Sequence, residues 1–219
     1  MEFFSNLYRV LYRDHKKAIS IVLADYSLTT ANFGFPQQFK QIGYLYDKLV
    51  EEGNTNIIVV GDSAGGNLSL NLLQHLYQKP NPVWPSAVIS ISPWLDVTNV
   101  EYTGSFKAHA KLDVFSYEAV IYYGKEYTQY STEYNSNPIA NINSSTMDWN
   151  NVPVFKNGKC LFVFGENEVL TDQIFKFLEN SRYHEKHPDR VQREYTLGCS
   201  SQKQWITTTI WTFGKQAFV

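Results

Sequence analysis

The sequence predicts an α/β fold, a mainly parallel sheet with helices on both faces. Three observations carry that expectation. Short apolar runs rich in β-branched residues alternate with longer segments at helical spacing. Three apolar runs, Asn56 to Val60, Ala87 to Ser92 and Lys159 to Phe164, break at Gly61, Pro93 and Gly165. The segments between strands are long enough for the crossover helices that parallel strands need.

In chain order, Phe4, Leu7, Tyr8 and Leu11 recur at helical spacing and predict an opening amphipathic helix. Ala18 to Ala24 reads as a short buried strand. Leu28 to Phe35 is loop-like, and Pro36 suits the first turn of a helix running to about Glu52, stopped by Gly53 and Asn54. The run ending at Gly61 is followed by a helix over Asn67 to Tyr77. Gln173 to His184 has helical spacing, and Val191 to Leu197 reads as a final strand. Tyr-rich and Asn/Ser-rich text between Val97 and Val152 predicts a small cap insertion at about residues 98–150, helical from Tyr117 to Tyr123. An ordinary long connection is the other reading. Residues 1–199 therefore form the expected domain. Residues 200–219 contain no Asp or Glu and have no clear helical or strand period, and they read as an atypical tail.

With 43% hydrophobic residues in 219, one globular domain can bury a sizeable core. The 19 basic and 21 acidic residues leave a net charge of -2, which argues against nucleic acid as a partner. Cys160 and Cys199 suggest neither a disulfide framework nor a zinc site, and neither a metal nor an organic cofactor is expected. No stretch approaches the ~20 apolar residues of a membrane span, and Met1 to Val10 lacks the pattern of a signal peptide. The chain as written reads as soluble and cytoplasmic.

Gly61-Asp62-Ser63-Ala64-Gly65 fits G-x-S-x-G, in which serine sits on a sharp strand-to-helix turn and the glycines leave room for it. The strand before it and the helix after it are the context this motif requires. Ser63 would be the nucleophile, and the Ala64 backbone N–H would donate to an oxyanion at the positive end of the following helix. A glycine-rich turn with an idle serine is the plainer alternative. Neither G-x-G-x-x-G nor a phosphate-loop lysine is present.

Gly165 to Asp172 follows an apolar strand, so Glu166, Glu168 and Asp172 should emerge on the same rim as Ser63. For Glu166 and Asp172 a solvated, helix-capping role is preferred, with Asp172 close enough to act as an N-cap. A triad base should follow the acid in sequence. His15, His75 and His109 precede it, and His184 and His187 lie among charges before the last strand, where a surface role is simplest.

With GDSAGGN (Gly61 to Asn67) on the page, the chain resembles an α/β-hydrolase of the hormone-sensitive-lipase-like branch, and within it the fungal steryl acetyl hydrolases. VLADYSL (Val22 to Leu28), ISPWLDV (Ile91 to Val97) and NEVLTD (Asn167 to Asp172) are similar to further family segments in the same order. The resemblance implies a partial α/β-hydrolase fold, a serine esterase acting on carboxylic esters, and a lipophilic ester substrate such as a sterol acetate. It puts Glu168 at the catalytic acid, where the family carries aspartate. It also implies an endoplasmic-reticulum setting. Two departures stand beside it. The family's HGGG oxyanion motif belongs before the helix with which this chain begins, and Cys199-Ser200-Ser201 stands where the family places its catalytic histidine. A truncated or frame-shifted member with impaired turnover is therefore expected.

The aromatic insertion, with Trp94, Tyr102, Phe106, Phe115 and Tyr117, suits an apolar acyl or sterol pocket and suits core packing equally. Two other readings remain open: a catalytically inactive, lipid-binding or non-functional fragment, and a chain that associates through an exposed sheet edge.

Overall fold

Alternating burial along the central strands sets the architecture of the computed structural model, which describes residues 2–16, 19–99, 101–194 and 209–212. The strands β1 (Ser20–Leu23), β2 (Ile57–Asp62), β3 (Ala87–Ile91), β4 (Cys160–Gly165), β5 (Val191–Glu194) and β6 (Thr209–Thr212) form one sheet in the order β1-β6-β2-β3-β4-β5. Neighbours from β2 to β5 are parallel, whereas β6 runs antiparallel to both β1 and β2. The helices are α1 (Glu2–Arg9), α2 (Gln37–Glu51), α3 (Ala64–Tyr77), α4 (Gly104–Ala108), α5 (Tyr117–Tyr127), α6 (Pro153–Lys156), α7 (Thr171–Asn180) and α8 (Tyr183–Lys186). The expected mainly parallel sheet with helices is present.

Successive strand residues point to opposite faces, and the two faces are covered unequally. Ile57, Val59, Val88, Cys160, Phe162 and Phe164 are buried in the main core with residues of α2, α3 and α7. On the other face Val60, Ile58, Ile89 and Ile91 meet Ile19, Leu7 and Leu11, the last two from α1 and the π-helical turn Val10–Asp14 that continues it. Because α3 is buried on nearly every side, its apolar residues run all round rather than along one stripe.

Differences from expectation have local causes. The helix expected at Asn67 begins at Ala64, because the small residues Ala64, Gly65 and Gly66 add little to the hydrophobic period that signals a helical turn. The helix expected over Gln173 to His184 divides into α7 and α8 at Arg182, which takes a left-handed backbone at φ 52. In the insertion α5 extends to Tyr127, and the Ser116 hydroxyl caps its start by accepting the Ala119 N–H at 3.2 Å. Of the expected final strand, Val191–Glu194 is β5, and residues 195–197 lie outside the described residues. Most of the tail lies outside them too, but 209–212 form β6, inserted between β1 and β2. No helix among the described residues is long and apolar enough to cross a membrane.

The far half of the main core is aromatic. Trp149, Phe155, Phe162, Phe177 and Tyr183 meet with ring centroids 4.9 to 6.2 Å apart, in the tilted and edge-on arrangements that ring quadrupoles favour. The Tyr183 hydroxyl donates to the Cys160 carbonyl and accepts from the Cys160 N–H at 3.0 Å, so it satisfies both polar groups of the first β4 residue. Burial first of all raises the Tyr183 phenol above the ordinary tyrosine range. Tyr183→Phe keeps the ring and leaves those two backbone groups without this partner. It should cost about 2 kcal/mol of unfolding free energy, read as a lowered urea midpoint with an unchanged m-value.

Candidate active site

Because β2, β3 and β4 are parallel, the segments that follow them emerge on one rim of the sheet. Ser63 follows β2, Ser92-Pro93-Trp94 follows β3, and Glu166 to Asp172 follows β4. Three stretches remote in sequence thus meet by topology alone.

Ser63 takes φ 55 and ψ -115, a backbone that a non-glycine residue rarely adopts. Three hydrogen bonds hold it there. Its N–H donates to Ile91 O at 2.9 Å, and its carbonyl accepts from Trp94 N at 3.0 Å and Asn67 N at 3.2 Å. The turn is so tight that a Cβ on Gly61 would overlap the Gly65 carbonyl and the Ser69 hydroxyl. A Cβ on Gly66 would lie 2.7 Å from Pro93 Cβ. Glycine at both positions lets α3 approach the strand ends. Asp62 and Ser63 are half-buried, while Gly65 is buried. Ala64, the first residue of α3, is exposed. Its N–H is one of the groups at a helix start with no intrahelical acceptor, so it can donate to an oxygen placed beside Ser63.

Glu168 is 7% exposed, and its Oε1 accepts from the Ser92 hydroxyl at 2.8 Å. Its backbone carbonyl accepts from the Thr171 hydroxyl at 2.6 Å and from His109 Nδ1 at 2.9 Å. A carbonyl only accepts, so His109 carries its proton on Nδ1 in this contact. The insertion holds the loop further: Val169 N–H donates to Asp113 Oδ2 at 2.7 Å, and the Ser105 hydroxyl donates to Val169 O at 2.7 Å. Asp172 is not the N-cap of its own helix. The cap position is Leu170, and Asp172 Oδ2 instead accepts the Ser105 N–H at the start of α4 at 2.7 Å. The folded insertion gives that carboxylate a nearer unsatisfied donor. Glu166 lies in the turn after β4 and is half-buried.

Among the described residues, no histidine hydrogen-bonds to the Ser63 hydroxyl. His75 faces Asp47 Oδ2 at 3.3 Å, His109 faces the Glu168 carbonyl, and His187 lies against the Tyr183 ring. The Cys199-Ser200-Ser201 position lies outside the described residues. Of the insertion aromatics, Phe106 is buried in the main core, and Trp94, Phe115 and Tyr117 pack against it. Tyr102 is exposed, 4.6 Å from the Tyr117 ring. Sequence reasoning missed Ser92, Ser105 and Asp113 as partners of the acid loop. Only Ser92 carried a signal, as part of ISPWLDV.

The model of the steryl acetyl hydrolase family matches residues 1–196. The chain is 37% identical to mug81 of Schizosaccharomyces pombe, which bears the steryl acetyl hydrolase name, over 85% of this chain and 50% of that protein. It is 27% identical to steryl acetyl hydrolase 1 of Saccharomyces cerevisiae over 71% of this chain and 38% of that one. The chain thus spans about half the length, or less, of these curated relatives. Among solved structures, it resembles a hyperthermophilic esterase from the archaeon Pyrobaculum calidifontis at a TM-score of 0.59 and 19% identity, covering 75% of this chain and 51% of that one. A hormone-sensitive lipase from a metagenome library gives 0.56 at 22% identity, covering 78% and 53%. Those likenesses establish the α/β-hydrolase fold. The strained serine turn at the end of β2 and the family match across residues 1–196 agree, and the chain belongs to the steryl acetyl hydrolase family.

Proposed function

We propose that the chain carries the acyl-transfer half-site of a carboxylic-ester hydrolase. The observation that carries this reading is the backbone of Ser63, held at φ 55 at the end of β2 with the free N–H of Ala64 beside it. In the proposed step the Ser63 oxygen attacks the ester carbonyl and loses its proton to a base. The carbonyl oxygen becomes an oxyanion that accepts from Ala64 N–H, and its collapse expels the alcohol and leaves an acyl group on Ser63. Water then releases the acid by the same route.

Glu168 is assigned to the acid that orients the base, because its carboxylate is fixed by Ser92 on the rim that bears Ser63. The relatives' names favour a sterol acetate or a similar lipophilic ester as substrate. Turnover is proposed to be low. The family's histidine position reads Cys199-Ser200-Ser201 here, and a serine triad without its histidine loses on the order of 10⁶ in rate. Binding of a lipophilic ester without turnover is the second reading, favoured by the lack of any described histidine bonded to the Ser63 hydroxyl.

Prolonged incubation of the folded chain with a fluorophosphonate should add one phosphonyl group by intact mass, far more slowly than a serine with a complete triad would, and Ser63→Ala should abolish the adduct. Hydrolysis of p-nitrophenyl acetate above the Ser63→Ala background establishes turnover, whereas a folded chain that gives neither adduct nor turnover favours the binding reading. A folded chain whose adduct persists in Ser63→Ala sinks the assignment. Where turnover is measurable, Glu168→Gln should lower kcat by roughly 10² or more with little change in KM, since the amide keeps the Ser92 contact and loses the charge.

A further inference from the structure

One face of α3 carries a line of buried amides that the proposed chemistry does not use. Asn67, Asn71 and Gln74 are 2%, 0% and 7% exposed, at a spacing that stacks them along one helix face. Ser145 Oγ donates to Gln74 Oε1 at 2.7 Å, and Gln74 Nε2 donates to Asn71 Oδ1 at 2.7 Å. Asn71 Nδ2 donates to Asn67 Oδ1 at 2.7 Å, and Asn67 Nδ2 donates to the Trp94 carbonyl at 2.9 Å. Every bond therefore points the same way, from the far root of the insertion to the segment after β3.

The direction is fixed by chemistry. The Trp94, Ile139 and Pro138 carbonyls can only accept, and they face Asn67 Nδ2, Asn71 Nδ2 at 2.8 Å and Gln74 Nε2 at 2.9 Å. Each amide nitrogen must therefore lie on the side where it is placed. A hydrocarbon at any of the three positions would interrupt the line and leave its buried neighbours short of a partner. Aligned hydrogen bonds in a buried chain also polarise one another. The line ends one residue from Ser63 in hydrogen-bond terms, because Trp94, whose carbonyl it holds, donates its own N–H to the Ser63 carbonyl.

We infer that Asn67, Asn71 and Gln74 are positioning residues, which tie the strained backbone of Ser63, through Trp94, to the insertion root at Pro138, Ile139 and Ser145. The inference rests on the reading of Ser63 as nucleophile for its catalytic meaning, and on the hydrogen bonds alone for the tie. The backbone of Ser63 keeps its uncommon conformation only while its surroundings determine it. The amide line is the part of those surroundings that reaches furthest from the site. None of the three side chains needs to touch substrate.

The test compares Asn71→Leu with Tyr183→Phe, a change in the aromatic core that leaves this helix face intact. For both, the thermal midpoint, the rate of Ser63 phosphonylation by a fluorophosphonate and hydrogen–deuterium exchange at the Trp94 amide are measured well below the midpoint. Asn71→Leu should slow phosphonylation at least tenfold and speed Trp94 exchange at least tenfold. Tyr183→Phe should lower the midpoint and leave both readouts within about twofold of the parent chain. Should Asn71→Leu fail to fold, Gln74→Met cuts the same line one step further from Ser63 and is read in the same way. Equal behaviour of the amide variant and Tyr183→Phe overturns the inference. If the parent chain forms no adduct at Ser63 the hydrolase reading falls, and the Trp94 exchange comparison still decides whether the tie exists.

Discussion

The structure turns on one constraint, the close passage of the chain from β2 into α3 at Ser63. That turn places a residue with a Cβ where φ is positive, at a cost of about 1 to 3 kcal/mol that neighbouring contacts must offset. The register of β2 on β3 supplies the first of them. With Asp62 paired to Ile91, the Ile91 carbonyl meets the Ser63 N–H. The missing side chains at Gly61 and Gly66 supply the second, by letting α3 and Pro93 close on the turn. Strand register and helix approach thus hold the turn together, and the turn leaves the Ala64 N–H at the start of α3 beside Ser63.

What could be read from the residues alone follows from how far each signal reaches along the chain. The NIIVV run, the glycines after it and the helix to Tyr77 are contiguous, so β2, Ser63 and α3 were legible as a unit. The acid at Glu168 was legible as one of three carboxylates on the right rim, and the family resemblance rather than spacing selected it. What encloses the acid was not legible. Ser92, Ser105 and Asp113 act on the loop after β4 across sequence separations of 56 to 76 residues, and a single hydroxyl or carboxylate leaves no periodic trace. The strand at 209–212 was hidden for a related reason. It pairs on both sides with strands remote in sequence, and four residues are too short a run to show a period by themselves.

The insertion changes meaning in this light. Its aromatic content suits a pocket wall and core packing equally, and much of it is anchored. Phe106, Val120 and Ile142 join the main core, α4 exchanges hydrogen bonds with the acid loop, and its far root receives the amides of α3. A segment fixed at both ends to the elements that bear Ser63 and Glu168 acts as a brace before it acts as a cover.

The end of β3 is where the two braces meet. Within four residues, the Ile91 carbonyl holds the Ser63 N–H, the Ser92 hydroxyl holds Glu168, and the Trp94 N–H holds the Ser63 carbonyl. Ser92 itself takes φ 42, a second uncommon backbone in the same short stretch. The proposed nucleophile and the proposed acid follow different strands and have no covalent reason to keep their spacing, and here one short segment touches both. The S-P-W text after β3 is therefore more than a strand end. It is the common reference for the two groups, and the backbone strain lies where a change in that reference would be felt by both.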